Sequence, residues 1–288
     1  MGLEVSLLFA FAAMLSWGIG DFLIQKSTRK IGNVEALAFI GIIGTVFLLP
    51  FLISDFYLLF SLPNLILLAV LGIITFIAAL FDFEALKEGK LSIIDVIIEL
   101  ELPVTIFLGF VFFKDTLTLL QIFVISFIFL GIVLIATKSF SHWKVKWEKG
   151  LLMALVAAVG MGLINFLTAA SSKTISPLMA VWFPWVIFSV LCLFFIWRRE
   201  GFSKFLKNGK KFKWLVLFMG IFDTLAWIFY AFAVFDEEIS IITAITESYP
   251  AIALFLGVLI NREKIRWYQW LGAFIALLAS FLLAFSLY

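Results

Sequence analysis

The chain has 288 residues, of which 64% are hydrophobic and 14% are charged, whereas a soluble domain carries about 25% charged residues. This composition excludes a soluble globular protein, and the formal net charge of +2 says little by itself because the basic residues are unevenly placed. The single cysteine, Cys192, and the single histidine, His142, exclude a disulfide framework and a Cys/His metal site.

Ten apolar stretches, separated by charged or turn residues, are long enough for membrane-crossing helices, which need about 20 mainly apolar residues. The first stretch has no positive n-region and no small-residue cleavage site, so we expect a span and not a signal peptide. The predicted spans are Val5 to Gln25, Val34 to Ile53, Asn64 to Leu86, Leu91 to Phe113, Leu119 to Thr137, Gly150 to Ala170, Pro177 to Trp197, Phe212 to Phe235, Ile239 to Ile260 and Trp267 to Leu287. The sequence thus predicts an all-α polytopic membrane protein with ten transmembrane helices.

The two halves of the chain repeat one another, because matching residues recur 148 positions apart. These pairs are Ser92 and Ser240, Glu99 and Glu247, Gly109 and Gly257, Asp115 and Glu263, and Gln121 and Gln269. A mid-helix proline, Pro103 or Pro250, also occurs in each copy, displaced by one residue from that register. We therefore predict a first repeat over residues 1–138, a basic linker over 139–149 and a second repeat over 150–288. Since each repeat has an odd number of spans, the two are inverted, and the substrate site is expected near the midplane between them.

Lysines and arginines predict the orientation. Of the 21 lysines and arginines, all but Lys114 and Lys173 lie after odd-numbered spans. The positive-inside rule places these basic loops in the cytoplasm, so both termini are predicted to be external. The basic loop around Phe202 and Phe205 is expected to lie along the anionic inner leaflet; a merely solvated loop is the alternative.

Several motifs resemble the EamA branch of the drug/metabolite transporter superfamily. The first is Leu15-Ser16-Trp17-Gly18 with Lys26 at the end of the span, and the second runs from Ala85 to Gln121 and recurs from Ala233 to Gln269. The resemblance implies a fold of two five-helix repeats and a transporter that exports amino acids or other metabolites, or carries sugars. Two departures stand out: such proteins are usually described with cytoplasmic termini, and the second copy has Met161-Gly162 in place of Trp-Gly.

Acidic residues within the spans are the candidates for the chemistry, because an ionisable side chain at mid-bilayer costs about 3 kcal/mol or more. They are Asp21, Asp82, Glu84, Asp95, Glu99, Glu101, Asp223 and Glu247. No lysine or arginine lies deep enough in a span to neutralise them. An acid-only cavity favours a substrate that carries an amine.

Glu99 and Glu247 are the strongest candidates for substrate or proton binding, because the repeat maps them onto each other. Each lies about 12 Å into its span, near the centre of a hydrocarbon layer about 30 Å thick. Pro103 and Pro250 are predicted to break the helix beside them. We expect these acids to take up and release protons and so to couple flux to a proton gradient. The alternative is that each is a neutral acid hydrogen-bonded across helices for packing.

The other acids divide by position. Asp95 lies one turn from Glu99 on the same face, whereas Glu101 lies about 200° round the helix from Glu99 and is expected to point elsewhere. Asp223 is a site candidate, and so are Asp21 and Asn165, which align between the repeats; packing is the alternative for each. Asp82 and Glu84 are expected at the membrane interface.

Aromatic residues are abundant, and near span ends they are expected to form the interfacial belt. The belt candidates are Trp143, Trp147, Trp197, Trp214, Trp267 and Trp270. Trp17, Trp227 and Tyr249 lie deeper and are candidates for lining the cavity.

The favoured function is a secondary transporter of small amino-acid-like or amine-bearing metabolites in the plasma membrane, with export as the direction. A flippase for a lipid-linked sugar or another amphiphile is the alternative, a channel is less favoured, and nothing supports an enzyme. Because no Gly-x4-Gly-Lys-Ser/Thr motif occurs, ATP does not drive this chain directly. The expected partners are a small-molecule substrate and the lipid bilayer, with a homodimer left open and with neither cofactor nor nucleic acid.

Overall fold

The fold consists of α-helices that follow the apolar runs of the sequence. The structure, a computed structural model, describes residues 2–88, 97–137, 149–199 and 201–287, without the side chains of 83–88 and 149–151. Glu84, Asp95, Trp143 and Trp147 therefore lie outside the described side chains. The helices are α1 (Leu3–Ile31), α2 (Asn33–Leu48), α3 (Leu62–Glu88), α4 (Glu101–Leu108), α5 (Leu119–Ala136), α6 (Lys149–Thr174), α7 (Pro177–Arg199), α8 (Phe202–Lys211), α9 (Lys213–Asp236), α10 (Ile239–Thr246), α11 (Tyr249–Asn261) and α12 (Trp267–Phe285).

The membrane-spanning character that composition predicts is confirmed. Within the described ranges, nine helical segments are long and apolar enough to cross a membrane, and α10 and α11 together form one of them. A shorter apolar segment, Glu101–Phe113, occupies the place of the fourth predicted span. The all-α architecture of two inverted five-helix repeats is thus the one that the sequence predicts.

The fourth span of each repeat is interrupted at equivalent positions. In the second repeat α10 ends at Thr246 and α11 begins at Tyr249, with Glu247 in the turn between them. In the first repeat Glu99 lies in the same kind of turn, directly before α4. Proline follows each break, at Pro103 or Pro250, and lacks the N–H that would continue the helical bonding. Each repeat thus brings a carboxyl group to an irregular stretch of backbone inside the protein.

The two repeats interleave across their interface. Helix α1 packs along α9, and its counterpart in the second repeat, α6, packs along α3. Helix α5 packs against α12 and α2 against α7, so these pairs also join one repeat to the other. The broken spans are enclosed in the same way, because α1 lies against α11 and α6 lies against α4. The centre of the molecule is therefore built from both repeats.

Two equivalent glycines allow close approaches to the broken spans. A Cβ atom on Gly162 of α6 would lie 3.1 Å from the carbonyl oxygen of Glu101, and one on Gly18 of α1 would lie 3.0 Å from that of Tyr249. Glu101 and Tyr249 are the first residues of α4 and α11. The Gly of the Trp-Gly and Met-Gly motifs thus lets one helix of each repeat contact the broken span of the other.

Candidate functional site

A polar cavity with a volume of about 530 Å³ lies between the two repeats. Among the side chains that the structure describes, its charged lining consists of four carboxyl groups and one guanidinium, from Asp21, Asp82, Glu99, Glu263 and Arg29. The volume is in the range of small-molecule sites, roughly 300–1,000 Å³. The excess of acid over base among these groups gives this part of the cavity a negative electrostatic potential.

The cavity extends from the helix break to one end of the bundle. Tyr249 and Pro250 line it at the break. Arg29 and Asn33, at the junction of α1 and α2, line its other end. That junction is on the side of the long basic loops. The cavity therefore connects the centre of the molecule with the side that carries most of the lysines and arginines.

A buried polar cluster lies next to this cavity, at the break of the second repeat. Glu247 and Asn165 are 4% and 3% exposed, and Asn165 Nδ2 donates to Glu247 Oε1 over 3.1 Å. The Tyr230 hydroxyl donates to the Asn165 carbonyl over 3.4 Å and bonds to Thr243 Oγ1 over 2.9 Å. The network holds Asn165, and through it the Glu247 carboxyl group, in a buried position.

Glu101 completes the cluster, although the sequence analysis set it aside. Its side chain is 5% exposed and its carboxyl group contacts that of Glu247. It also lies close enough to Glu99 and Asp82 for their charges to interact. The predicted angle of about 200° between Glu99 and Glu101 holds only for a continuous helix, whereas α4 begins at Glu101 and the turn at Glu99 precedes it. The signal for Glu101 was its place directly after the predicted break.

The repeat-related candidates occupy different environments. Asp21 and Glu99 of the first repeat both line the cavity, whereas Asn165 and Glu247 of the second repeat are buried together. Gln25 Nε2 donates to Asp21 Oδ2 over 3.2 Å. Asp223 of α9 is 7% exposed and lies close enough to Asp21 for their charges to interact. Glu99 and Glu247, the two strongest candidates from the sequence, thus lie in different environments, and both are close enough to Glu101 for their charges to interact.

The three deep aromatic residues form one cluster with Tyr230. Tyr249 lines the cavity, and the Trp17 ring lies 6.2 Å from it. Trp227 packs edge-on against Trp17 with ring centroids 5.0 Å apart, is 8% exposed and does not line the cavity. These rings form a rigid wall behind the cavity, with Tyr249 as the member that faces it.

The opposite end of the bundle is sealed by hydrogen bonds between the repeats. Asp115 Oδ2 accepts from the backbone N–H of Ser240 over 2.9 Å and from its hydroxyl over 2.6 Å. Glu238 Oε1 accepts from the backbone N–H and the hydroxyl of Thr116 over 3.0 and 3.1 Å. Asp115 is 6% exposed and Ser240 is fully buried. We call these two pairs the short-loop seal.

Comparison with known proteins agrees with this architecture. The model of the EamA-like transporter family matches residues 5–137 and again residues 148–285. A solved crystal structure is similar over 99% of this chain and 99% of its own length, with a TM-score of 0.80 and 15% sequence identity. At that identity the likeness supports the fold alone. No curated protein matches the chain.

Proposed function

Because the chain belongs to the EamA-like transporter family, whose model covers both of its halves, we propose that it is a secondary active transporter of small amine-bearing metabolites. The observation that carries this proposal is the acid-lined cavity between the repeats. Four carboxyl groups against one guanidinium favour a cationic group in the solute. The cavity volume of about 530 Å³ is suited to a solute of amino-acid or polyamine size.

Alternating access is supported by the contrast between the two ends of the bundle. The cavity reaches one end beside Arg29, whereas the short-loop seal closes the other. If the basic loops are cytoplasmic, as the positive-inside rule predicts, the cavity fills from the cytoplasm and both termini are external. Export is therefore the direction that we propose.

The Glu101–Glu247 contact supports coupling to protons. Ionised carboxylates only accept hydrogen bonds, so two carboxyl groups in contact need a proton on one of them. Asn165 donates to Glu247 and leaves Glu101 as the neighbour through which that proton can be shared. Glu101 in turn lies next to Glu99 in the cavity lining. A cation that binds Glu99 in the cavity would weaken, through its charge, the binding of the proton by the neighbouring Glu101 and Glu247, which is the basis of proton-driven antiport.

The proposal is tested first by ligand-dependent thermal stability, because a ligand that binds the folded state raises apparent stability by mass action. Amino acids, polyamines, sugars and nucleosides are screened against the purified protein. We expect stabilisation by amine-bearing solutes and none by neutral sugars. Stabilisation by sugars alone would overturn the assigned substrate class.

Transport by proteoliposomes then tests the coupling. We expect a pH gradient to drive uptake of the stabilising solute in the wild type and in Glu4→Gln, which removes an exposed carboxyl group near the chain start. Glu247→Gln should retain solute exchange but lose the acceleration by the gradient. Gradient-driven uptake that is unchanged in Glu247→Gln would exclude Glu247 from proton coupling.

A lipid-linked substrate is the second candidate, and one groove favours it. A cavity of about 460 Å³ lies between α4 and α5, lined mostly by apolar residues such as Leu102, Ile106 and Phe129, and Pro103 lies on it. An acyl or prenyl chain in this groove would place its headgroup near the broken span. Stabilisation by an amphiphile with a sugar headgroup, with no response to soluble amines, would favour this flippase function over the metabolite carrier.

A further inference from the structure

Helix α8 is short, amphipathic and basic. Its apolar side has the spacing i, i+3, i+4, i+7 that is typical of a helix lying on an apolar surface. The residues at these positions are Phe202, Phe205, Leu206 and Gly209. Lysines occupy much of the remaining surface, at Lys204, Lys207, Lys210 and Lys211. Such a helix is suited to the boundary between the headgroups and the acyl chains of a bilayer.

Contacts with α2 hold α8 in a defined position. The Phe205 ring stacks on the Phe39 ring with centroids 4.1 Å apart and an interplanar angle of 15°. Asn208 Nδ2 donates to Glu35 Oε2 over 2.8 Å, and Glu35 is 4% exposed. These contacts fix the position of α8 against α2, so the outer surface of α8 belongs to the folded protein.

A groove of about 640 Å³ lies where α8 meets α2 and α9. Its apolar lining comes from all three helices: Phe39, Ile43, Leu206, Gly209, Val216 and Leu217. Leu206 is 59% exposed and Leu217 is 37% exposed, so the groove faces outwards. Lys210 and Lys213 line the same groove and are both exposed. An apolar trough and a pair of ammonium groups are thus combined at one place.

We propose that this groove binds one anionic phospholipid, with an acyl chain against Leu206 and Leu217 and the phosphate between Lys210 and Lys213. The apolar lining lies on the outer surface of a membrane protein, where lipid is the solvent. The two lysines attract an anionic headgroup more strongly than a zwitterionic one, so the groove should prefer an anionic lipid. The bound lipid would join α8 to α9 and hold the basic helix against the bilayer.

The experiment is native mass spectrometry and thermal unfolding of the detergent-solubilised protein, with phosphatidylglycerol or phosphatidylcholine added. We expect one phosphatidylglycerol to be retained preferentially and to raise the unfolding temperature in a concentration-dependent way. Lys210→Gln/Lys213→Gln should weaken this binding about tenfold or more, because two attractions between lysine and phosphate are lost.

The matched control is Lys207→Gln/Lys211→Gln, which removes the same charge from α8 at positions outside the groove lining. It should keep the preference for phosphatidylglycerol. Equal losses in the two double variants would mean diffuse attraction to a basic surface and would overturn the proposal. So would stabilisation by inorganic phosphate as strong as that by phosphatidylglycerol, because the acyl groove would then contribute nothing.

Discussion

Asp115→Ala should loosen the short-loop seal, because Asp115 Oδ2 accepts both hydrogen bonds from Ser240. A hydrogen bond to a charged group contributes about 1.5–3 kcal/mol. Loss of the two bonds therefore destabilises the sealed end by about 3–6 kcal/mol, since the N–H and hydroxyl of Ser240 remain buried without this acceptor. At 1.4 kcal/mol per tenfold, this is a shift of about 100-fold or more in the equilibrium between closed and open.

Hydrogen–deuterium exchange followed by mass spectrometry measures this shift at the first turn of α10. Peptides that cover Ile239–Thr246 are protected in the wild type as long as the seal holds α10 in place. We expect their exchange in Asp115→Ala to be about 100-fold faster, as the energy of the two bonds requires. Asp115→Asn retains an acceptor oxygen and should give an intermediate rate.

Two control variants separate the seal from a general loss of stability. Asp55→Ala breaks the hydrogen bond from Ser176 Oγ to Asp55 Oδ2 at the same end of the bundle, without contact to α10. Glu263→Ala removes the repeat-related carboxyl group, which lines the open cavity. Both should leave exchange in Ile239–Thr246 unchanged. Unaltered exchange in Asp115→Ala, or equal acceleration in Asp55→Ala, would refute the reasoning.

Two further predictions concern packing. Gly162→Ala should lower the unfolding temperature, because the added methyl group overpacks against Val104 at a cost of about 1–3 kcal/mol. Gly2→Ala should leave the unfolding temperature unchanged, because Gly2 has open space around it. Equal unfolding temperatures of the two variants would contradict the close approach at Gly162. Phe205→Ala should release α8 and speed its cleavage by trypsin, because the Phe205 ring stacks on Phe39 and is only 5% exposed. Phe202→Ala should leave the cleavage rate unchanged, because the Phe202 side chain is 42% exposed. Cleavage at one rate in both variants would mean that Phe205 does not anchor the helix.

Apolar run length predicted where helices lie better than where they end. The first span was predicted over Val5 to Gln25, but α1 continues to Ile31 and ends at Gly32, whose φ of 86° favours glycine. The helix therefore continues beyond the apolar run into a last turn that carries Arg29 and Lys30. The basic segment around Phe205 was treated as a loop, although its apolar spacing of three and four residues predicts a helix.

The site was harder to predict than the fold, because it depends on contacts between repeats. The offset of 148 residues identified Glu99 and Glu247 but not the neighbours of either. Asn165 was considered as the equivalent of Asp21, whereas its amide bonds to Glu247, more than 80 positions away. The direction of the Glu101 side chain was predicted for a continuous helix. A break in the helix changes the direction of every side chain beyond it. Sequence repetition therefore locates candidates, and packing decides which of them meet.

The carboxyl residue at the end of the broken span has a different environment in each repeat. Lys114 and Arg262 both adopt a left-handed backbone, with φ of 59° and 55°, and each precedes a carboxyl residue at the end of its broken span. Asp115 is 6% exposed and bonds to Ser240, whereas Glu263 lines the cavity and accepts from Asn261 Nδ2 over 3.0 Å.

The repeats also differ deeper in the molecule, but in the opposite sense: Asn165 and Glu247 of the second repeat are buried, and their equivalents Asp21 and Glu99 of the first repeat line the cavity. At each of the two levels, one copy is thus buried and the other copy lines the cavity. For the alternating access proposed above, an exchange of these arrangements between the inverted repeats would give the opposite state without a new type of contact. The difference between the two repeats in this conformation therefore supports the existence of a second conformation in which their arrangements are exchanged.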